Sequence, residues 1–189
     1  MHFFVSRPQN YPDKFARFRQ TCKVHKTPWK MRPIICCAST FMNYWGRWLD
    51  YWLQTLRTWI RSYLKNGDEL LDEVLLLHIP SWAYLVVTDA TAMYNNIDTE
   101  HAITVIKWWL KDLRDRELLP EGFPLDAVLS AMVTIMRNNI FEFGDLYFLQ
   151  LLGTAMGTSA AVMWATMYYA NTHPSPQTWS QFAILQTLH

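Results

Sequence analysis

The chain of 189 residues is long enough for one domain, and 51% hydrophobic with 17% charged residues excludes a solvated disordered polymer. Its three cysteines, two of them adjacent at Cys36 and Cys37, exclude a disulfide framework or a spaced-cysteine metal cage, and with no apolar leader ahead of Arg7, Pro8 and Pro12 an intracellular setting is expected. The net charge of +1 conceals a division: residues 1–65 carry twelve Lys or Arg against Asp13 and Asp50, a balance of +10, and residues 66–189 carry five against fourteen carboxylates, a balance of −9.

Such a basic half suits a polyanionic partner, unless the two halves are simply solvated faces of opposite bias. Up to Thr21 the chain reads as irregular. Lys23 to Lys30 reads as a basic loop, and Met31 to Cys37 as a strand that Pro33 confines to an edge or delays. One amphipathic helix is expected from Phe41 to Leu64, where Trp45, Trp48, Trp52 and Trp59 share a stripe with Leu49, Leu53, Leu56 and Ile60. That stripe is either core or, with the arginines beside it, a base-stacking surface.

Asn66-Gly67 ends this helix, and a short amphipathic segment follows from Asp68 to Leu77. Ala83 to Thr88 reads as a strand that delivers Asp89 at its end. Asp98 is placed to cap a helix running to about Asp115, with Glu100 in the first turn, and Pro124 starts another that runs to about Arg137. Phe141 to Phe148 reads as a hairpin turning at Gly144-Asp145. A glycine-bearing turn spans Gly153 to Gly157, a closing helix runs from Ser159 to Asn171, and Pro174 and Pro176 mark a tail. Strands mixed with helices in this order predict an α+β fold.

Asp145 is the last Asp, Glu, Lys or Arg, and the forty-four residues after it hold none. Within them Leu146 to Ala170 is long enough to span a bilayer and contains Gly153-x-x-x-Gly157, a small-residue helix-pairing pattern. Gln150, Ser159 and the threonines make it polar for that role. A small membrane-associated protein remains as an alternative reading, although no membrane partner is expected.

Three separated stretches resemble one family. Lys23-Val-His-Lys-Thr-Pro-Trp-Lys-Met-Arg-Pro-Ile-Ile35 resembles the fingers motif of retroelement reverse transcriptases. Val87-Thr-Asp-Ala-Thr-Ala-Met-Tyr-Asn-Asn-Ile97 resembles their palm motif A. Phe141 to Gln150, followed by Gly153-Thr-Ala-Met-Gly-Thr158, resembles the hairpin and motif B. The flavour is that of Penelope-like and related retrotransposons, and the likeness runs from about Lys23 to Ala170.

The resemblance implies an RNA-directed DNA polymerase acting on an RNA template, a DNA primer and dNTP, with Mg²⁺ as cofactor. Two-metal nucleotidyl transfer needs a cluster of hard oxygen ligands. The resemblance makes Asp89 the motif A metal ligand and catalytic residue, with the Ala90 carbonyl as a second oxygen; the plain reading is a strand-end Asp that caps a turn. It also implies that Arg32 meets the nucleotide triphosphate, where a guanidinium fork suits two phosphate oxygens. Tyr94 would lie under the sugar, or else is an ordinary buried tyrosine. Gln150 would meet the nucleotide or template base. Lys23, Lys26 and Lys30 would add potential around nucleic acid, and Gly153 and Gly157 would let backbone approach a bound duplex.

The sequence also departs from the family. Motif C carries an adjacent Asp-Asp pair, and no such pair occurs in the chain. Prolines that usually follow Met-Gly-Thr are replaced by Ser159-Ala-Ala-Val162. The expectation is an incomplete right-hand polymerase fold, with fingers and a partial palm but no motif C hairpin and no thumb, and without activity alone. Its divisions would be an irregular segment over 1–22, the partial polymerase domain over 23–171 and a disordered tail over 172–189. A non-catalytic nucleic-acid-binding remnant is the other alternative.

Overall fold

Residues 14–24, 27–60, 62–78, 80, 82, 86–88, 92–172 and 184–186 are described in the computed structural model of the chain, 86–88 and 184–186 by their backbone. Among them the strands are β1 (Ala16–Lys23), β2 (Lys30–Cys36), β3 (Val86–Thr88), β4 (Ile140–Phe143), β5 (Leu146–Leu149) and β6 (Ile184–Gln186). The helices are α1 (Phe41–Gln54), α2 (Gly67–Leu76), α3 (Thr99–Asp115), α4 (Leu125–Arg137) and α5 (Ala161–Thr172). The fold is α+β, as expected.

β1 corrects the expectation that residues 1–22 are irregular. Ala16, Phe18, Gln20 and Cys22 alternate with Arg17, Arg19, Thr21 and Lys23, the period of two that gives each set its own face of a strand. β1 pairs antiparallel with β2, from Arg17 opposite Cys36 to Lys23 opposite Lys30, so the sheet begins before residue 23. The sheet order is β2-β1-β4-β5. β2 is an edge strand, where the missing N–H of Pro33 is tolerated. β4 runs parallel to β1 and antiparallel to β5. The β4–β5 turn is Gly144-Asp145, and Gly144 takes φ +62°, a value the first loop position of a tight hairpin favours.

The helices pack as a layer. On α3, Ala102, Ile103, Ile106, Trp109, Leu110 and Leu113 repeat at helical spacing and are buried, and Asp98 Oδ1 accepts from His101 N at 2.7 Å to cap the helix. α1, α4 and α5 complete the core with Leu49, Leu53, Val128, Met132, Met163 and Trp164. α5 is buried on several sides, which is why this stretch needs no charge. A smaller cluster of Ala16, Ile35, Cys37 and Ala155 lies under the sheet.

Three further expectations change. The helix from Phe41 ends at Gln54, not Leu64: the Thr55 hydroxyl donates to Trp52 O at 2.6 Å, and the chain tightens into a 3₁₀ turn at Arg57–Trp59 that keeps Leu56 and Ile60 buried. Within that stripe the leucines carry the core, while Trp48 and Trp52 are partly buried against it and Trp45 and Trp59 are exposed. β6 pairs in parallel with β3, so three residues of the expected disordered tail form a strand, where apolar Ile184 and Leu185 sit opposite Val86 and Val87; residues 173–183 and 187–189 lie outside the described residues. Leu146 to Ala170 is not one membrane helix but β5, an irregular loop and most of α5. Among the described residues no helix is long and apolar enough to cross a membrane.

Candidate functional site around the loop at residues 150–158

The loop between β5 and α5 is bound to two distant segments. Gly153 N donates to Ile97 O at 2.8 Å, and Thr154 N donates to Tyr94 O at 2.8 Å. Gly153 has φ +81°, and a Cβ there would lie 2.7 Å from Tyr94 O. Only glycine combines that backbone conformation with so close an approach. At the loop's other end, a Cβ on Gly157 would overlap Ile35 O and press on Cys37 N. The loop is therefore wedged between the 3₁₀ turn Met93–Asn96 and the end of β2.

Side chains lock it there. Trp164 Nε1 donates to Thr154 Oγ1 at 2.7 Å, with both groups buried. Cys37 Sγ lies 3.4 Å from Thr158 Oγ1, and Tyr169 OH donates to Met93 O at 2.9 Å. Burial pushes the Cys37 thiol above its ordinary range, against the opposing hydrogen bond from Thr158. Burial likewise raises the phenols of Tyr94 and Tyr169.

Gln150 stands at the mouth of this loop, half-buried. Its Oε1 accepts from Asn139 Nδ2 at 2.7 Å, and its Nε2 donates to Leu152 O at 2.9 Å. One amide proton and one oxygen lone pair remain, a donor and an acceptor side by side with their orientation fixed. Tyr94 is half-buried and packs against the helical core, and its carbonyl makes the link to the loop.

The remaining expected residues form a second group. Lys23, Lys30 and Arg32 share one face of the β1–β2 hairpin with Arg17 and Arg19, as the register requires: Thr21 opposite Arg32, Lys23 opposite Lys30. Arg19, Lys30 and Arg32 are exposed and Lys23 is half-buried. Glu142, opposite Arg17 across β1–β4, is the carboxylate at the base of that face. The signal for Arg17 and Arg19, missed as parts of a strand, was their alternation with Ala16 and Phe18.

Asp89, Ala90 and Lys26 lie outside the described residues. β3 ends at Thr88, and the turn bearing Tyr94 begins at Met93. Among the described residues no three His, Cys, Asp or Glu side chains gather to hold a metal ion. The described donors therefore do not make up a two-ion site. Gly153 and Gly157 approach the chain's own backbone at Tyr94 and Ile35. Comparison with known protein families, with curated proteins and with solved structures finds no match.

Proposed function

We propose that these residues are the fingers and partial palm of a retroelement reverse transcriptase, an RNA-directed DNA polymerase of the right-hand type. One observation carries the reading. The segments that resemble the fingers motif, motif A and motif B lie far apart in sequence, yet the 150–158 loop holds all three together through Gly157 at Ile35 and Gly153 at Tyr94. Loops that bear functional residues are commonly fixed by a rigid scaffold in this manner. The basic hairpin face suits template and primer phosphates, with Arg32 facing dNTP and Gln150 offering its fixed amide to a base edge.

Asp89 and the Ala90 carbonyl are the proposed contacts for Mg²⁺. One carboxylate does not supply the ligands that two ions need, so these residues alone are not expected to extend a primer. The hairpin's cations favour a second reading, a nucleic-acid-binding remnant that never polymerises; both readings require binding.

Binding of an RNA–DNA template-primer, followed by fluorescence anisotropy across salt concentrations, tests the shared requirement. Replacing Lys23 and Lys30 together by alanine should flatten the logarithmic salt slope by about 2, at roughly one per phosphate contact. Salt-independent binding, or a slope the double variant leaves unchanged, would remove the basic face from the account.

A further inference from the structure

β5 is the edge of the sheet opposite β2, and none of the described residues pairs with its outer side. All four of its residues, Leu146–Leu149, are exposed, and so are Leu151 and Leu152 beyond it, at 80% and 57%. No charged residue occurs from Leu146 to Leu152. Edge strands are ordinarily blunted by charge or proline. β2 is blunted in this way by Lys30, Arg32 and Pro33, and β5 is not.

Hairpin geometry identifies the outward backbone groups. Across a two-residue loop the closing pair, Phe143 and Leu146, is hydrogen-bonded, and bonded and non-bonded pairs alternate from there. Gln150 N donating to Asn139 O at 3.0 Å continues that alternation. The N–H and C=O groups of Tyr147 and Leu149 accordingly point away from β4.

We infer that β5 pairs antiparallel with β5 of a second copy of the chain, about a two-fold axis through Phe148. Tyr147 of each copy then exchanges both backbone bonds with Leu149 of the other, for about four hydrogen bonds in all. Phe148 faces its counterpart across a non-bonded pair. Taking about 200 Å² for a large apolar side chain, the exposed fractions between Phe143 and Leu152 amount to about 800 Å² per copy, an upper limit on what the pairing buries that matches the roughly 800 Å² a partner contributes to a standard interface. Charge selects the same edge: β5 against β5 opposes no like charges, whereas β2 against β2 would bring Lys30 and Arg32 onto their counterparts. The contact is self-complementary and uses up both β5 edges, so association stops at two copies.

Sedimentation equilibrium of the 189-residue chain over about 1–100 μM, a range that brackets a micromolar Kd, tests this. The expected result is a dimer whose dissociation constant rises at least about tenfold with Tyr147→Lys plus Leu149→Lys, and is unchanged by Met31→Lys on β2. Lysines in β5 could disturb the hairpin itself. Leu151→Glu plus Leu152→Glu lies beyond the strand, sets a carboxylate against Asp145 of the other copy, and should also weaken the dimer, with an unaltered circular dichroism spectrum. A monomer throughout the range, association that neither charged pair weakens, or association running past the dimer would overturn the inference.

Discussion

Gly157 leaves no room for a methyl group, because the space a Cβ would take is occupied by backbone of Ile35 and Cys37, which cannot swing aside as a side-chain end could. Gly157→Ala should cost about 2–3 kcal/mol or more, the upper part of the range for forced overpacking. Gly67, at the start of α2, has open space around its Cβ position. Gly67→Ala should be neutral or stabilising by up to about 1 kcal/mol. Urea midpoints of the two variants check both, and similar midpoints would show that the loop is not wedged. The sequence reading expected Gly153 and Gly157 to admit a bound duplex; no local pattern reveals that backbone at Tyr94 and Ile35 is what the loop meets.

Cys37 supplies a pH dependence. Its folded pKa is raised above the unfolded value, so as pH climbs the unfolded thiol loses its proton first. The unfolded state then binds fewer protons than the native one, and stability falls with rising pH. The contribution is complete below the unfolded thiol value of about 8.5 and is lost as pH rises through the raised folded value. Tyr94 and Tyr169, raised by burial, add a loss of the same sign from about pH 10. Urea midpoints should be level near neutrality and decline above about pH 9, less steeply in Cys37→Ser. A midpoint indifferent to pH in that window, or an equal decline in Cys37→Ser, would contradict the assignment.

At the scale of elements, α3 shows what sequence makes visible and what it hides. Asp98, Glu100 and the repeat from Ala102 to Leu113 mark its start and face without ambiguity, and the helix follows them. Its end is less conventional. Glu117 takes a left-handed φ of +57°, with Glu117 N donating to Arg114 O at 2.9 Å and Leu118 N to Leu113 O at 2.9 Å. Glycine is the usual residue at such a helix end. Glu117→Gly should therefore stabilise the chain by about 1 kcal/mol, the cost of left-handed backbone for an L-residue. A lower thermal midpoint in that variant would show that the glutamate side chain contributes more than its backbone strain costs.

Other elements were hidden for physical reasons. β1 is hard to see because Arg17 and Arg19 break the apolar run, although their alternation with Ala16 and Phe18 is itself the strand signal. The end of α1 is hidden because Leu56 and Ile60 keep helical spacing after the helix stops, the 3₁₀ turn carrying both to the same core. The β4–β5 hairpin was legible because Gly-Asp between two apolar runs admits few other conformations.

For the whole molecule, the sequence shows opposed charge and three ordered motif-like stretches, and the fold adds their meeting at one loop. The helical core stands apart from the hairpin that carries the cations, so the scaffold and the proposed polyanion surface can be altered separately. Loss of charge at Arg32 is expected to leave the unfolding free energy from urea titration within about 0.5 kcal/mol of the original, as for surface substitutions in general.

The most direct measurement is primer extension on an RNA template with Mg²⁺, using the chain with a family motif C hairpin and thumb joined after Ala170. On the proposed reading, Asp89 would then have the carboxylate partners that two-metal transfer requires. The account predicts extension by this joined protein, no extension by the 189 residues alone, and loss of at least about a thousandfold in rate in the joined protein with Asp89→Asn, as for the removal of an essential catalytic group. Extension that survives Asp89→Asn, or a joined protein that binds template-primer and yet adds no nucleotide, would contradict it.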